Sequence, residues 1–202
     1  MSEANLKERI VEATLTELKI VEVAQISLRK ISKQLDVTAQ APYHYFPNKD
    51  ALLLEIKIRA LQGLNSRWKN INEQEDDLLK RLENLSLSYA NYFYNNVGYY
   101  KVMKHKMKLG DEFKAEIKRS RDTFISAAED IVAFYNIKDL TGENLTLLCW
   151  SSIHGLIDLQ LQNMIVIDSL KTKEIAVGHL SDTLVKTISV LVKSMTSRET
   201  NV

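Results

Sequence analysis

Ser27-Leu28-Arg29-Lys30-Ile31-Ser32-Lys33-Gln34-Leu35-Asp36-Val37-Thr38-Ala39-Gln40-Ala41-Pro42-Tyr43-His44-Tyr45 reads as two short helices on either side of a tight turn. Ser27 is placed to cap a helix over 28–34, which keeps Leu28, Ile31 and Leu35 on one side and turns Arg29, Lys30 and Lys33 outward. Leu35 to Thr38 turn the chain, and Thr38 is placed to cap a second helix over 39–45. Pro42 is tolerable there because a first-turn proline forfeits little intrahelical hydrogen bonding. Two helices joined in this way form a helix-turn-helix, whose second helix enters the DNA major groove.

Local charge agrees with that use. Between Ser27 and Lys49 the ionised residues are Arg29, Lys30, Lys33 and Lys49 against Asp36 alone, a segment charge of +3. Such side chains supply attraction to phosphate that is independent of base sequence, and Ser27, Arg29 and Lys30 are the candidates on the first helix. Gln40 is the best base reader available, since its amide matches the two groove-exposed positions of adenine. The methyls of Thr38 and Ala39 suit a thymine methyl, and Tyr43 and His44 lie one turn on. Tyr45 and Phe46 read as core.

Outward from this stretch, Lys7-Glu8-Arg9-Ile10-Val11-Glu12-Ala13 precedes it and Ala41-Pro42-Tyr43-His44-Tyr45-Phe46-Pro47-Asn48-Lys49-Asp50-Ala51-Leu52-Leu53 closes it. Together with Ser27 to Ser32, these residues resemble the amino-terminal domain of the tetracycline-repressor-like (TetR) family of bacterial transcription regulators. The resemblance covers roughly the first 55 residues, and the Tyr-x-x-Phe-x-x-Lys run carries it most strongly. It implies that Thr38, Ala39, Gln40, Tyr43 and His44 face DNA and that Lys49 contacts phosphate at a helix start. Two positions depart from the pattern. Asp36 stands where the family often has glycine, and Val21 to Gln25 replace a glycine-containing turn. Aspartate tolerates left-handed backbone better than most residues, so the turn remains feasible.

The rest of the 202 residues is helical in pattern, with only six glycines and two prolines. Apolar spacings of three and four predict helices over 5–20, 28–34, 39–45, 49–70, 76–96, 99–108, 111–135, 143–165 and 173–196. The expected fold is all-α: a helix-turn-helix head over 1–48, then a larger helical-bundle body over 49–202 for effector binding and dimerisation. Helix 143–165 is apolar around nearly its whole circumference, so it must be covered on two sides. A homodimer built on it and on the stripe Val177 to Met195 of the last helix is the economical cover. The family resemblance implies the same interface and two heads set about 34 to 36 Å apart, on an inverted-repeat operator in double-stranded DNA.

Two sets of body residues are candidates for an effector pocket. Trp150, His154 and Asp158 share a stripe at spacings of four, and the Trp-x-x-x-His-Gly string resembles a motif of one subgroup of TetR carboxy-terminal domains. The alternative for them is purely structural, with Asp158 accepting a hydrogen bond from His154 beneath a core tryptophan. The second set is aromatic: Trp68, Tyr89, Tyr92, Phe93 and Tyr100, with Met103 nearby in sequence. Aromatic bodies with polar tips suit an apolar effector bearing one or two hydrogen-bonding groups, although core packing accounts for most of them.

Composition bounds the remaining classes. Apolar residues make up 45% and charged ones 26%, with 27 Lys and Arg against 26 Asp and Glu, so no broad polybasic surface exists for nucleic acid or membrane. The single cysteine, Cys149, excludes an internal disulfide and suits a reducing compartment. The polar amino terminus and the lack of an apolar run of about 20 residues point to a cytoplasmic protein with no membrane partner. His44, His105, His154 and His179 stand far apart without metal-ligand spacing, and no phosphate loop or nucleophile elbow is present. We therefore expect no enzyme activity, catalytic residue, metal or cofactor. A ligand-binding or scaffold dimer without specific DNA binding is the alternative, and steep salt dependence of DNA binding separates the two.

Overall fold

The computed structural model describes residues 3–138 and 140–162 together with positions 186 and 190. Among these residues the chain forms α1 (Glu3–Leu18), α2 (Leu28–Gln34), α3 (Lys49–Gln74), α4 (Leu78–Asn95), α5 (Val97–Lys104), α6 (Asp111–Phe134) and α7 (Gly142–Leu161). Two 3-10 helices, Val23–Gln25 and Ala41–His44, complete the order, and no strand occurs among the described residues. The helix expected over 173–196 lies outside them.

The segments up to Gly63 and from Asn96 to Ile117 make one compact unit. Its core joins Ile10, Val11 and Leu18 of α1, Leu28 and Ile31 of α2, Phe46, and Leu52, Leu53 and Ile56 of α3, all nearly inaccessible to solvent. Val102 of α5 is part of the same cluster, so a helix distant in sequence completes the head's core. Gly98 makes the approach possible. A Cβ there would lie 3.1 Å from the Leu15 carbonyl oxygen and 3.2 Å from a Leu15 methyl. Lys101 then donates from Nζ to the Val21 carbonyl at 3.0 Å and pairs with Glu22 at 2.9 Å.

Lys57 is the buried cation of this unit. Its Nζ donates to the His105 carbonyl at 2.7 Å and the Met103 carbonyl at 3.3 Å, filling acceptors that the end of α5 leaves unpaired. That bond helps explain why α5 stops at Lys104, short of the expected residue 108. Arg59 reaches both oxygens of Glu8 at 2.7 Å and Glu55 at 2.8 Å, and Lys7 reaches Glu55 at 3.1 Å, which fastens α1 to α3. Burial acts to raise the Glu55 pKa, but Arg59 and Lys7 together hold it below its ordinary value.

The second unit takes Leu64 to Asn95 and the described residues from Lys118 on. It therefore contains the second half of α3, all of α4 and α7, and most of α6. Helix α6 ends in a Schellman turn, in which Asn136 adopts φ 51° and the Ile137 amide reaches back 3.0 Å to the Val132 carbonyl. Thr141 caps α7, its hydroxyl accepting from the Asn144 amide at 3.1 Å.

Candidate nucleic-acid interface and effector site

Helix α2 begins where the pattern places it. Ser27 holds the N-cap position with extended backbone, and its carbonyl accepts from the Ile31 amide at 3.0 Å, but its side chain makes no capping bond. The helix ends in a second Schellman turn. Asp36 sits at φ 54°, the Val37 amide reaches the Ser32 carbonyl at 3.0 Å and the Asp36 amide the Lys33 carbonyl at 3.3 Å. Arg9 of α1 donates to the Leu35 carbonyl at 3.1 Å and holds the turn from below. Its role was hidden in the sequence, where Arg9 reads as one more surface charge.

The second helix of the motif is shorter than expected. Residues 39–40 form a turn and only Ala41–His44 are helical, with 3-10 hydrogen bonding. Pro42 explains this. It has no amide to donate and it disfavours α backbone in the residue before it, so the bonds that form run from Ala41 to the Thr38 carbonyl and from Tyr43 to the Gln40 carbonyl. Thr38 thus contributes its carbonyl at this start, where a side-chain cap was expected.

Arg29, Lys30, Thr38, Ala39, Gln40, Tyr43 and His44 are all exposed. Arg29, Ala39, Gln40 and Tyr43 line one open recess of about 330 Å³, so a guanidinium and a side-chain amide share one concave surface. Lys49 opens α3 and donates to the Ala24 carbonyl at 2.9 Å. Asn48 caps that helix, its Oδ1 accepting from the Ala51 amide at 2.8 Å. The first turn of α3 therefore presents a cation beside helix-end amides, the arrangement that suits a phosphate.

The aromatic candidates divide between the units. Tyr100 and Met103 belong to the first, where Tyr100 is buried with Lys104 over its ring and Met103 packs on Ile58, Leu61 and Phe113. Trp68, Tyr89, Tyr92, Phe93, Trp150, His154 and Asp158 belong to the second. There Trp68, Tyr89, Trp150 and Phe124 form a closed ring of contacts. Successive centroids are 6.1 Å, 6.4 Å, 5.9 Å and 5.6 Å apart. Phe93 packs on Tyr89 from the same helix with centroids 4.8 Å apart and the rings tilted by 56°, and Tyr92 lies outside the ring under the Arg67 guanidinium.

His154 shares a 2.7 Å hydrogen bond with the Tyr89 hydroxyl through Nε2. Burial raises the Tyr89 pKa well above the ordinary phenol value, which keeps the hydroxyl protonated and able to donate. Phe124 was missed in the sequence because nothing in α6 marks it apart from other apolar positions. The partnership of Tyr89 with His154 was missed because the two lie 65 residues apart. Cys149, one residue from Trp150, is fully buried and its thiol is pushed up to about 12 by desolvation.

Residues 10–56 match the sequence model described as bacterial regulatory proteins, tetR family. The head belongs to the tetR family. No curated protein matches the chain in sequence. Among solved structures, a protein of unknown function from Rhodococcus sp. RHA1 shares 19% identity over 90% of this chain and 94% of its own, with a TM-score of 0.72. The TetR family transcriptional regulator PfmR from Thermus thermophilus shares 17% identity over 88% of this chain and 97% of its own, at TM-score 0.66. The transcriptional regulator FadR from Bacillus subtilis, in complex with stearoyl-CoA, shares 15% identity over 88% and 97%, at TM-score 0.71. These likenesses show that the all-α fold of the described residues is the one found in these structures. Within the tetR-family head, Asp36 takes the left-handed backbone that the turn after α2 requires.

Proposed function

We propose that the chain is a homodimeric, sequence-specific DNA-binding regulator that represses transcription from an inverted-repeat operator and is released by a small apolar effector. The observation that carries this reading is the exposed recess of Arg29, Ala39, Gln40 and Tyr43 on a tetR-family helix-turn-helix. Arg29, Lys30 and Lys49, with Ser27, hold phosphate. Thr38, Ala39 and Gln40 read bases, with Tyr43 and His44 at their edge. The division of labour follows residues 1–48 for DNA and 49–202 for effector and dimer, and the protein works in the cytoplasm on DNA, with no enzymatic step.

Dimerisation is supported by α7, which leaves Leu147, Leu148 and Leu159 exposed on an apolar helix. The partner helix expected over 173–196 lies outside the described residues. Effector response is supported by continuity of α3, whose first turn carries Lys49 and whose later turns carry Trp68. In this reading a ligand that favours one position of Trp68 acts on the helix whose first turn carries Lys49.

The test is selection of bound fragments from a random duplex library at two salt concentrations, using the full chain. Recovery of an inverted repeat, with affinity falling steeply as salt rises, supports the reading. Failure at both salts with an intact dimer overturns it in favour of a ligand-binding protein without a DNA partner.

A further inference from the structure

The stretch Val21 to Gln25, which lacks glycine, is held by two lysines from other helices. Lys101 of α5 donates to the Val21 carbonyl at 3.0 Å and pairs with Glu22 at 2.9 Å, and Lys49 of α3 donates to the Ala24 carbonyl at 2.9 Å. Inside the turn, the Gln25 and Ile26 amides reach the Glu22 and Val23 carbonyls at 2.9 Å and 3.3 Å, and the Glu22 amide donates to the Gln25 side chain at 3.0 Å. Val23 and Ile26 anchor the turn in the head core, with Val21 partly buried against it, while Glu22, Ala24 and Gln25 are exposed. Packing therefore fixes the inner edge of the turn, and the two lysine bonds bear on its outer edge.

The two lysines differ in what holds them. Lys101 stands on a helix seated against α1: Gly98 meets Leu15 at a distance that leaves little room for a Cβ, and Val102 lies within the head core. Its side chain is 21% exposed. Lys49 opens α3 beside the Asn48 cap, and the Ala24 carbonyl is the hydrogen-bond acceptor it reaches. A lysine carries its charge on a flexible four-carbon stem, so the acceptor it finds decides where that charge stands. One carbonyl takes one of the three ammonium hydrogens and leaves two for a phosphate. The Ala24 carbonyl thus aims Lys49 without consuming its charge, and whatever fixes Ala24 fixes the aim.

The path from one lysine to the other is short and stays within the first unit. From Val21 to Ala24 the chain spans at most about 11 Å. A direct pull of Lys101 on DNA is the competing account, but Glu22 lies 2.9 Å away and offsets its charge.

Resting on the regulator reading above, we infer that Lys101 is a positioning residue for DNA binding: from α5 it fixes the turn Val21 to Gln25, whose Ala24 carbonyl holds the Lys49 ammonium where the first turn of α3 meets a phosphate.

Lys101→Met keeps the stem and removes the ammonium. In the free protein the Gln25 and Ile26 amides, which close the turn, are expected to exchange with solvent several-fold faster in this variant. On a mixed-sequence duplex, Lys101→Met is expected to weaken binding about three- to fivefold and to lower the salt slope by about one, as Lys49→Ala does. In a Lys49→Ala background the same change is expected to cost less than about twofold, because the group that it aims is gone. A direct pull by Lys101 persists in that background. Glu22→Gln serves if Lys101→Met unfolds. It slackens the clamp while removing a negative charge, so positioning makes DNA binding weaker where charge counting alone makes it tighter.

Losses that add in full in the double variant, turn amides whose exchange is unchanged, or tighter DNA binding by Glu22→Gln overturn the inference. The regulator reading fails in a different way. A parent chain that binds no duplex removes that reading and this inference with it, whereas duplex binding that depends on Lys49 but not on Lys101 removes this inference alone.

Discussion

Asp36 holds a left-handed φ of 54°, which lets the chain leave α2 and enter the turn before Ala41–His44. An aspartate there carries a steric cost that glycine lacks, and its carboxylate opposes the surrounding cations. Asp36→Gly is therefore expected to stabilise the fold by about 0.5 to 1 kcal/mol in urea unfolding and to tighten DNA binding at low salt. A loss of stability would mean that the carboxylate has a partner worth more than the strain. In the proposed function Gln40 serves specificity and Lys49 serves affinity. Gln40→Ala should change the recovered base preference, whereas Lys49→Ala should weaken all duplexes alike and make the salt slope shallower by about one charge. Cys149 supplies a pH test. Its thiol titrates near 9 when unfolded and near 12 when folded, so the stability it contributes is complete below pH 9 and is lost as pH rises toward 12. The stability gap between the parent protein and Cys149→Ala should narrow by up to about 1.4 kcal/mol per pH unit across that window.

At the scale of elements, the head is completed by α5, which enters its core through Val102 and is tied down by Lys57 and Lys101. The close approach of α5 to α1 depends on Gly98. Gly98→Val would drive a branched side chain into the Leu15 carbonyl, and since backbone cannot yield as a flexible side chain does, a loss of about 2 kcal/mol is expected in chemical denaturation. Helix positions were readable in the sequence because their apolar spacing is local: α2 spans 28–34 in both pattern and structure. The 3-10 character of Ala41–His44 was less so, since the apolar pattern does not reveal how far Pro42 shortens a helix. The membership of α5 in the head was not readable at all, because no local pattern says which distant core a short amphipathic helix will complete.

At the scale of the molecule, α7 exposes Leu147 at 69% while its other side is buried, which leaves an apolar surface on a helix of the second unit. If the proposed dimer is built on this surface, Leu147→Glu should convert it to monomer in sedimentation and abolish binding to a full inverted repeat, with the fold intact because that side chain is largely exposed. Retention of the dimer would move the interface elsewhere. No described helix is long and apolar enough to cross a membrane, and the described residues hold no cluster of metal-ligating side chains.

Residues 27–49 by themselves determined the helix-turn-helix and its cationic face, because helix spacing, turn chemistry and charge act within a few residues of one another. The sequence also named most of the aromatic residues of the second unit, since Trp68, Tyr89 and Trp150 stand out by type. Only the tertiary structure decided that these three close a ring with Phe124, that Tyr89 pairs with His154, and that Tyr100 and Met103 fold with the head. It also decided that the buried indole N–H groups of Trp68 and Trp150 make no hydrogen bond among the described residues. Whether a buried donor is satisfied depends on side chains brought from other helices, and sequence spacing carries no record of that.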